Sequence, residues 1–248
     1  FTRENEVLDV RIMGPKVNKT HEKEFYNLPY SIVKKKPNSI LIVGSGAGND
    51  VASANRYNIK KITAVEIDPV IAGLGNKYHP ELPYKNENVI TVIDDARNYI
   101  SKTNQSFDSI VYALLDSQTN LSSKGGIRLD SYVYTVEAFK EAKGKLNKDG
   151  YIFLSFFAQD EKLAFKIFRM LETAFEKKPL VLKSDANDRY IFLSSENFEN
   201  FNFNHLKFFK VNEKFSESFL DVDMSTDDWP FLYMPKKVYP LTYLSIVI

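Results

Sequence analysis

ILIVGSGAGND, residues 40–50, is a run of four aliphatic side chains that empties into a turn with glycine at every second position. A short unbroken apolar run reads as a strand buried on both faces. Glycines directly after such a strand set bare backbone N–H groups and a helix N-terminus beside a ligand. The dinucleotide fingerprint G-x-G-x-x-G/A needs Gly or Ala at position 49, where this chain carries Asn49. The spacing here is G-x-G-x-G, through Gly44, Gly46 and Gly48. A third glycine one residue early opens the turn toward a nucleoside with an amino-acid-like tail. A turn that is glycine-rich for structural reasons alone is the competing reading.

Strand and helix patterns alternate outward from this turn. Apolar runs at Ile40–Val43, Lys61–Glu66, Val89–Ile93, Ser109–Ala113 and Tyr151–Phe156 predict strands. Helices are predicted between them, over Asp50–Tyr57, Pro69–Lys77, Ala96–Thr103 and Val136–Leu146. A further helix, EKLAFKIFRMLETAFEKK, has apolar residues at helical spacing, and PLVLKS and YIFLSS flank the turn DANDR as an antiparallel hairpin. Five parallel strands, a helix and a terminal hairpin predict an α/β, Rossmann-like methyltransferase fold with a mostly parallel, seven-stranded sheet. The expected organisation is an N-terminal extension over 1–38, the nucleoside-binding catalytic domain over 39–196 and a C-terminal appendage over 197–248. The closing run VYPLTYLSIVI leaves two readings open, a last core element or the start of a membrane segment; alone it is shorter than the roughly 20 helical residues that span a bilayer.

Composition narrows the function classes. Lys+Arg 33 against Asp+Glu 32 gives a formal charge of +1, which offers no general electrostatic case for nucleic acid. The chain has no cysteine, so disulfides, thiolate metal sites and cysteine nucleophiles are excluded. Three histidines, none spaced as a metal pair, leave no metal in the expectation.

Acidic residues at the strand ends complete the candidate pocket. Glu66 follows the glycine turn by about 20 positions, as suits a carboxylate that accepts from both ribose hydroxyls. Asp68, before Pro69, reads as a helix N-cap. At the third strand end, Asp95 is the candidate acceptor for an adenine amine, with the Ala96 N–H reaching a ring nitrogen and Asp94 as a solvated neighbour. The fourth strand brings Leu114, Leu115 and Asp116 to the reaction centre, because ligands of open α/β sheets bind outside the carboxyl ends of the strands. Asp116 suits an amine nucleophile, since a carboxylate stabilises an ammonium and accepts its proton during attack. Its competing reading is a loop cap.

In order, ILIVGSGAGND, AVEIDP, VIDDARNYI, FDSIVYALLDS and YTVEAFKEAKGKLNKDGYIFLSF resemble the spermidine synthase family, over roughly residues 37–157. LLDS, RLDSYVYT and TDDWPFLY are similar to motifs of its membrane-associated bacterial subgroup. The resemblance implies a methyltransferase-like Rossmann sheet, S-adenosylmethionine or its decarboxylated form as cofactor, and alkyl transfer (aminopropyl or methyl) from a sulfonium to a small-molecule amine. It also implies a cytoplasmic chain, compatible with a homodimer or with the soluble domain of a membrane protein. Two family carboxylates are missing. The Asp that holds the amino end of the decarboxylated cofactor falls on Ala47, and the catalytic Asp falls on Ala113, while the second Asp of that motif matches Asp116. Asp50 is the candidate substitute for the first.

The segment SSKGGIRLDSYVYT, with Arg128, Asp130 and Tyr132, reads either as a gate over the site or as a surface loop. Tyr132 joins Asp116 as a catalytic candidate; Gly44, Gly46, Gly48, Asn49, Asp50, Glu66, Asp95, Ala96 and Leu115 are the cofactor candidates. STDDWPFLY reads as core packing before acceptor binding. Two other functions stay in view: a nucleoside-binding regulatory module without catalysis, and a dinucleotide oxidoreductase, which Asn49 and the hairpin disfavour.

Overall fold

A computed structural model describes residues 19–115, 132–158, 160–184, 188–206, 209–211, 221–234 and 236–238. Its elements run α1 (Lys19–Ser31), β1 (Ser39–Val43), α2 (Asn49–Arg56), β2 (Lys61–Glu66), α3 (Pro69–Tyr78), β3 (Val89–Ile93), α4 (Ala96–Lys102), β4 (Phe107–Tyr112), α5 (Val136–Gly144), β5 (Leu146–Phe157), α6 (Glu161–Phe175), β6 (Leu180–Ser184), β7 (Arg189–Ser195) and β8 (Phe209–Val211). The strands form one sheet in the order β3-β2-β1-β4-β5-β7-β6-β8. β1 to β5 pair in parallel, while β7 runs antiparallel to both β5 and β6. The predicted hairpin is therefore present, with β7 inserted between β5 and β6. β8 adds a short eighth strand, antiparallel, at the β6 edge.

Both faces of the sheet are covered, which is why its central strands carry aliphatic runs in place of alternation. One core joins Leu41, Val43, Ile110 and Tyr112 of the sheet to α4, α5 and α6. The other joins Ile40, Ile42, Val111 and Phe153 to α1 and α2. α6 has the strongest amphipathic pattern, burying Ile167, Met170 and Leu171 completely. Burial fades toward β3, an edge strand whose Ile90 and Ile93 are half exposed.

Two local departures have physical causes. EFYNLPYS, inside the expected N-terminal extension, forms the C-terminal part of α1 with Pro29 in its last turn. Its aromatic side chains give the reason: Phe25 and Tyr30 sit in the second core, and Tyr151 donates to the Pro29 carbonyl at 2.7 Å. β5 starts at Leu146, earlier than expected, because Phe107 and Leu146 pair before a register shift.

The last described segment is fastened to the helices. Lys166 of α6 is 1% exposed, and its Nζ donates to the Phe231 and Met234 carbonyls, each at 2.7 Å. Burial pulls its pKa down from 10.5 to about 8. Arg97 donates to Glu141 (2.8 Å) and Asp227 (2.9 Å), and the Thr135 hydroxyl donates to the other Asp227 oxygen at 2.7 Å. Among the described residues no helix is long and apolar enough to cross a membrane. Residues 239–248, most of the closing apolar run, lie outside the described residues.

Candidate active site

The sheet order reverses between β1 and β4, and in open α/β sheets such a switch point forms a ligand crevice at the carboxyl ends of the strands. The glycine turn follows β1 at this point. Gly44, Gly46 and Gly48 all have positive φ (71°, 54° and 100°), a region L side chains enter at a cost. Their surroundings differ. A Cβ on Gly44 would overlap the Leu115 side chain, and one on Gly48 would come within 2.7 Å of Pro83 Cγ. A Cβ on Gly46 would meet nothing within 4 Å. Gly44 and Gly48 are therefore glycines for packing as well as backbone, and Gly46 presents an open face.

Glu66 lies beneath that face, 7% exposed. One carboxylate oxygen accepts from Gly46 N at 2.7 Å and the other from Asp68 N at 3.0 Å. The end of β2 thereby sets the position of the turn, together with Gly44 N and Ser45 N, which both donate to the Val65 carbonyl at 2.9 Å. Asp68 caps α3 through Val70 N, as expected. α3 returns over the turn so closely that a Cβ on Gly75 would overlap the Ala47 carbonyl.

The next strand end adds two more carboxylates. Asp94 N donates to the Glu66 carbonyl at 3.1 Å, placing the end of β3 beside that of β2. Asp95 is the N-cap of α4, accepting from Asn98 N at 2.9 Å. Asp94 is held by its own contacts, accepting from Asp95 N (2.8 Å) and from Asn98 Nδ2 (2.8 and 3.0 Å), so it is a structural partner of the α4 start. Ala96 is buried in the first turn.

Beyond Gly48, Asn49 and Asp50 begin α2. Asn49 Nδ2 donates to the Tyr26 hydroxyl at 3.3 Å, and its Oδ1 lies 3.1 Å from His79 Nε2. Asp50 is partly buried. Desolvation pushes its carboxyl up from 3.8 to about 7, against the opposing hydrogen bond from its own backbone. A helix N-terminus favours a carboxylate by about 0.3–1 kcal/mol at an exposed site, too little to offset this burial. Tyr30 is 2% exposed, its hydroxyl has no hydrogen-bond partner among the described residues, and it interacts electrostatically with Asp50. Burial raises its pKa well above 10.0. The Tyr84 hydroxyl donates to the Gly46 carbonyl at 2.6 Å and lies 2.9 Å from Ser45 Oγ.

β4 closes the other side of the crevice. Ala113 N donates to the Val43 carbonyl at 3.1 Å, and Leu115 packs over Gly44. Ala113 and Ala47 are 3% and 7% exposed, so methyl groups occupy both positions where the resemblance expects carboxylates. Asp116, Arg128 and Asp130 lie outside the described residues. Tyr132 is 40% exposed, just before the buried Val133 and Tyr134 and the α5 cap Thr135. Asp227 is committed to Thr135 and Arg97, and Trp229 packs on Phe231 with ring centroids 4.7 Å apart, in keeping with the packing reading of this motif.

The structure thus brings the three glycines, Asn49, Asp50, Glu66, Asp95, Ala96 and Leu115 to the carboxyl edge of the four parallel strands β1 to β4. Tyr26, Tyr30, His79 and Tyr84 join them without a sequence signal that named them. Tyr26 and Tyr30 are spaced i, i+4 on α1, which marks one helix face but no role. Among the described residues no group of His, Asp and Glu side chains is arranged to hold a metal.

The spermine/spermidine synthase domain matches residues 22–177, more than half of the chain. The chain belongs to that family. The family's polyamine aminopropyltransferase of Sulfurisphaera tokodaii is 31% identical over 136 residues, covering 53% of this chain and 42% of that protein. The one of Thermoplasma volcanium is 29% identical over 93 residues, 37% of this chain and 34% of that protein. The chain therefore spans less than half the length of these relatives. Among solved structures, spermidine synthase from Thermotoga maritima superposes with a TM-score of 0.59 at 15% identity, over 90% of this chain and 74% of that one. Human methyltransferase-like protein 13, solved with SAH, gives 0.56 at 17% identity, over 94% and 100%. At these identities the structural likeness bears on fold, and it is the fold expected from the strand order.

Proposed function

We propose that the chain is the catalytic part of an aminopropyltransferase that takes a decarboxylated S-adenosylmethionine-type sulfonium and an amine acceptor. The observation that carries this reading is the open face of Gly46 above the buried Glu66 carboxylate, at the switch point of the sheet. Family membership and the curated relatives support the aminopropyl version of the transfer. Each Glu66 oxygen already takes one N–H and has a lone pair left for a ribose hydroxyl. Asp95, with one oxygen engaged in capping, and the Ala96 N–H suit adenine. Asn49 and Asp50 stand at the start of α2, where a cofactor tail would lie; Asp50 takes the part that Ala47 leaves vacant. Leu115 walls the crevice.

When bound, the sulfonium supplies a carbon that an amine attacks: a C–N bond forms, the C–S bond breaks with its electron pair going to sulfur, and the ammonium product loses one proton. Asp116 and Tyr132 are the proposed groups on the acceptor side, Asp116 as the proton acceptor. Since the displacement is in line, alignment dominates the rate and a positioned pocket accounts for more of it than proton transfer does.

The test is calorimetry with decarboxylated S-adenosylmethionine, S-adenosylmethionine and 5′-methylthioadenosine, followed by product detection on an amine panel. Binding with amine-dependent release of 5′-methylthioadenosine, abolished by D116N, is expected. Binding without turnover would reduce the chain to a nucleoside-binding module, and no binding of any of the three would end the nucleoside reading.

A further inference from the structure

A hydrogen-bond chain crosses the start of α2 and joins three elements. His79, the C-cap of α3, accepts at Nδ1 from Glu81 N at 3.1 Å. An imidazole nitrogen that accepts carries no hydrogen, so neutral His79 holds its proton on Nε2. That nitrogen lies 3.1 Å from Asn49 Oδ1 and donates to it. With its oxygen engaged, the Asn49 amide turns Nδ2 toward Tyr26, donating to the hydroxyl at 3.3 Å. The order is directional: Glu81 N–H to His79, His79 to Asn49, Asn49 to Tyr26. It ends on α1, beside the first turn of the helix that follows Gly48.

We infer that His79 is a positioning residue of the nucleoside pocket, fixing the Asn49 amide and through it the Tyr26 hydroxyl beside the glycine turn. This rests on the proposed use of that turn. Gly48 caps α2 with no side-chain hydrogen bond, so Asn49 is the first α2 side chain able to orient polar groups there. No contact between His79 and the ligand is required; it acts through Asn49. Protonation breaks the chain, because both ring nitrogens of an imidazolium donate and Nδ1–H then faces the Glu81 N–H.

The surroundings favour the neutral form. Desolvation lowers the His79 pKa from 6.5, opposed by Glu81 and assisted by Arg56. Among the described residues those two are the charged groups acting on the ring, Arg56 from α2 and Glu81 from its own loop, and they pair with each other at 2.6 Å. Asn27 of α1 also takes Arg56 Nη2 at 3.3 Å. From α1, Tyr26 reaches the ring through Asn49.

The experiment combines nitrogen NMR of the imidazole, assigned by its loss in H79Q, with calorimetry of 5′-methylthioadenosine from pH 5.5 to 8. Three chains are compared: wild type, H79Q, whose amide nitrogen donates from the Nε2 position without titrating, and H79L, which has no donor. The expected spectrum has a bare Nδ1 and a protonated Nε2 at pH 7.5. Wild-type affinity should fall as the imidazole titrates, below pH 6.5. H79Q should match wild type at pH 7.5 within about twofold and lose the acid fall, and H79L should bind roughly three- to tenfold more weakly throughout, the size of one net hydrogen bond. An Nδ1–H tautomer, or H79L binding like wild type with the acid fall intact, would overturn the positioning role. Failure of all three chains to bind, with the expected tautomer present, would overturn the assignment of the pocket itself.

Discussion

Gly46→Ala separates the binding surface of the turn from its packing. At φ 54° an alanine costs about 1–2 kcal/mol through its backbone alone. No packing cost is added, since a Cβ there meets nothing within 4 Å, and the N–H that donates to Glu66 is kept. Gly44→Ala has the same backbone cost, plus about 1–3 kcal/mol for forcing a methyl into the Leu115 side chain. The expected destabilisation is therefore about 1–2 kcal/mol for G46A and about 2–5 kcal/mol for G44A, read from urea unfolding. Calorimetry with 5′-methylthioadenosine should show the opposite selectivity for function. G46A remains folded but loses at least tenfold in affinity, because its methyl stands where the nucleoside would approach the backbone. Wild-type affinity in G46A would refute the assignment of the open face to the ligand. A G44A chain no less stable than G46A would refute the packing argument.

Three further outcomes follow from the charged groups. Asp50, with its carboxyl near pH 7, should bind a cationic cofactor tail more tightly as pH rises through 7, by releasing its proton; calorimetry of decarboxylated S-adenosylmethionine should show this slope, and D50N should abolish it. Lys166 titrates near 8 folded and 10.5 unfolded, so the unfolded chain binds more protons between these values and stability rises with pH there. Between pH 8 and 9.5 the gain approaches roughly 2 kcal/mol, and urea midpoints of K166M should lack it. Asp227→Ala removes the acceptor of both Arg97 and Thr135; because Asp227 is exposed and Arg97 keeps Glu141, a loss of about 1–2 kcal/mol by thermal unfolding is expected, with D227N recovering part of it.

The sheet was legible because its signals are local. Five aliphatic runs, the glycine turn after β1 and the Asp-rich hairpin loop each lie within a few residues, and β2 and β3 have the bounds that their pattern predicts. Glu66, Asp68 and Asp95 could be read as strand-end residues for the same reason. What escaped were groups whose roles depend on distant partners. Tyr84 reaches Gly46 from 38 positions away, and Lys166 meets its carbonyls at separations of 65 and 68. Nothing around Lys166 distinguishes it from the other lysines of an amphipathic helix; only the arrival of residues 231–234 buries it. Asp94 reads as solvated in the sequence because its partners, the Asp95 N–H and the Asn98 side-chain amide, are brought to it only by the folded start of α4, while Asp95 alone caps the helix.

The Arg97–Asp227 pair spans 130 positions, and this sets when the crevice can mature. During synthesis at about 5–20 residues per second, roughly 6 to 26 seconds separate the two partners. Over that interval β1 to β4 and the glycine turn can form, while Arg97, and Lys166 from midway on, still lack the loop that satisfies them. The cofactor face is thus assembled early and its support late. A chain cut before residue 221 would keep the motif that identifies the family yet hold two cations selected for a partner that never arrives.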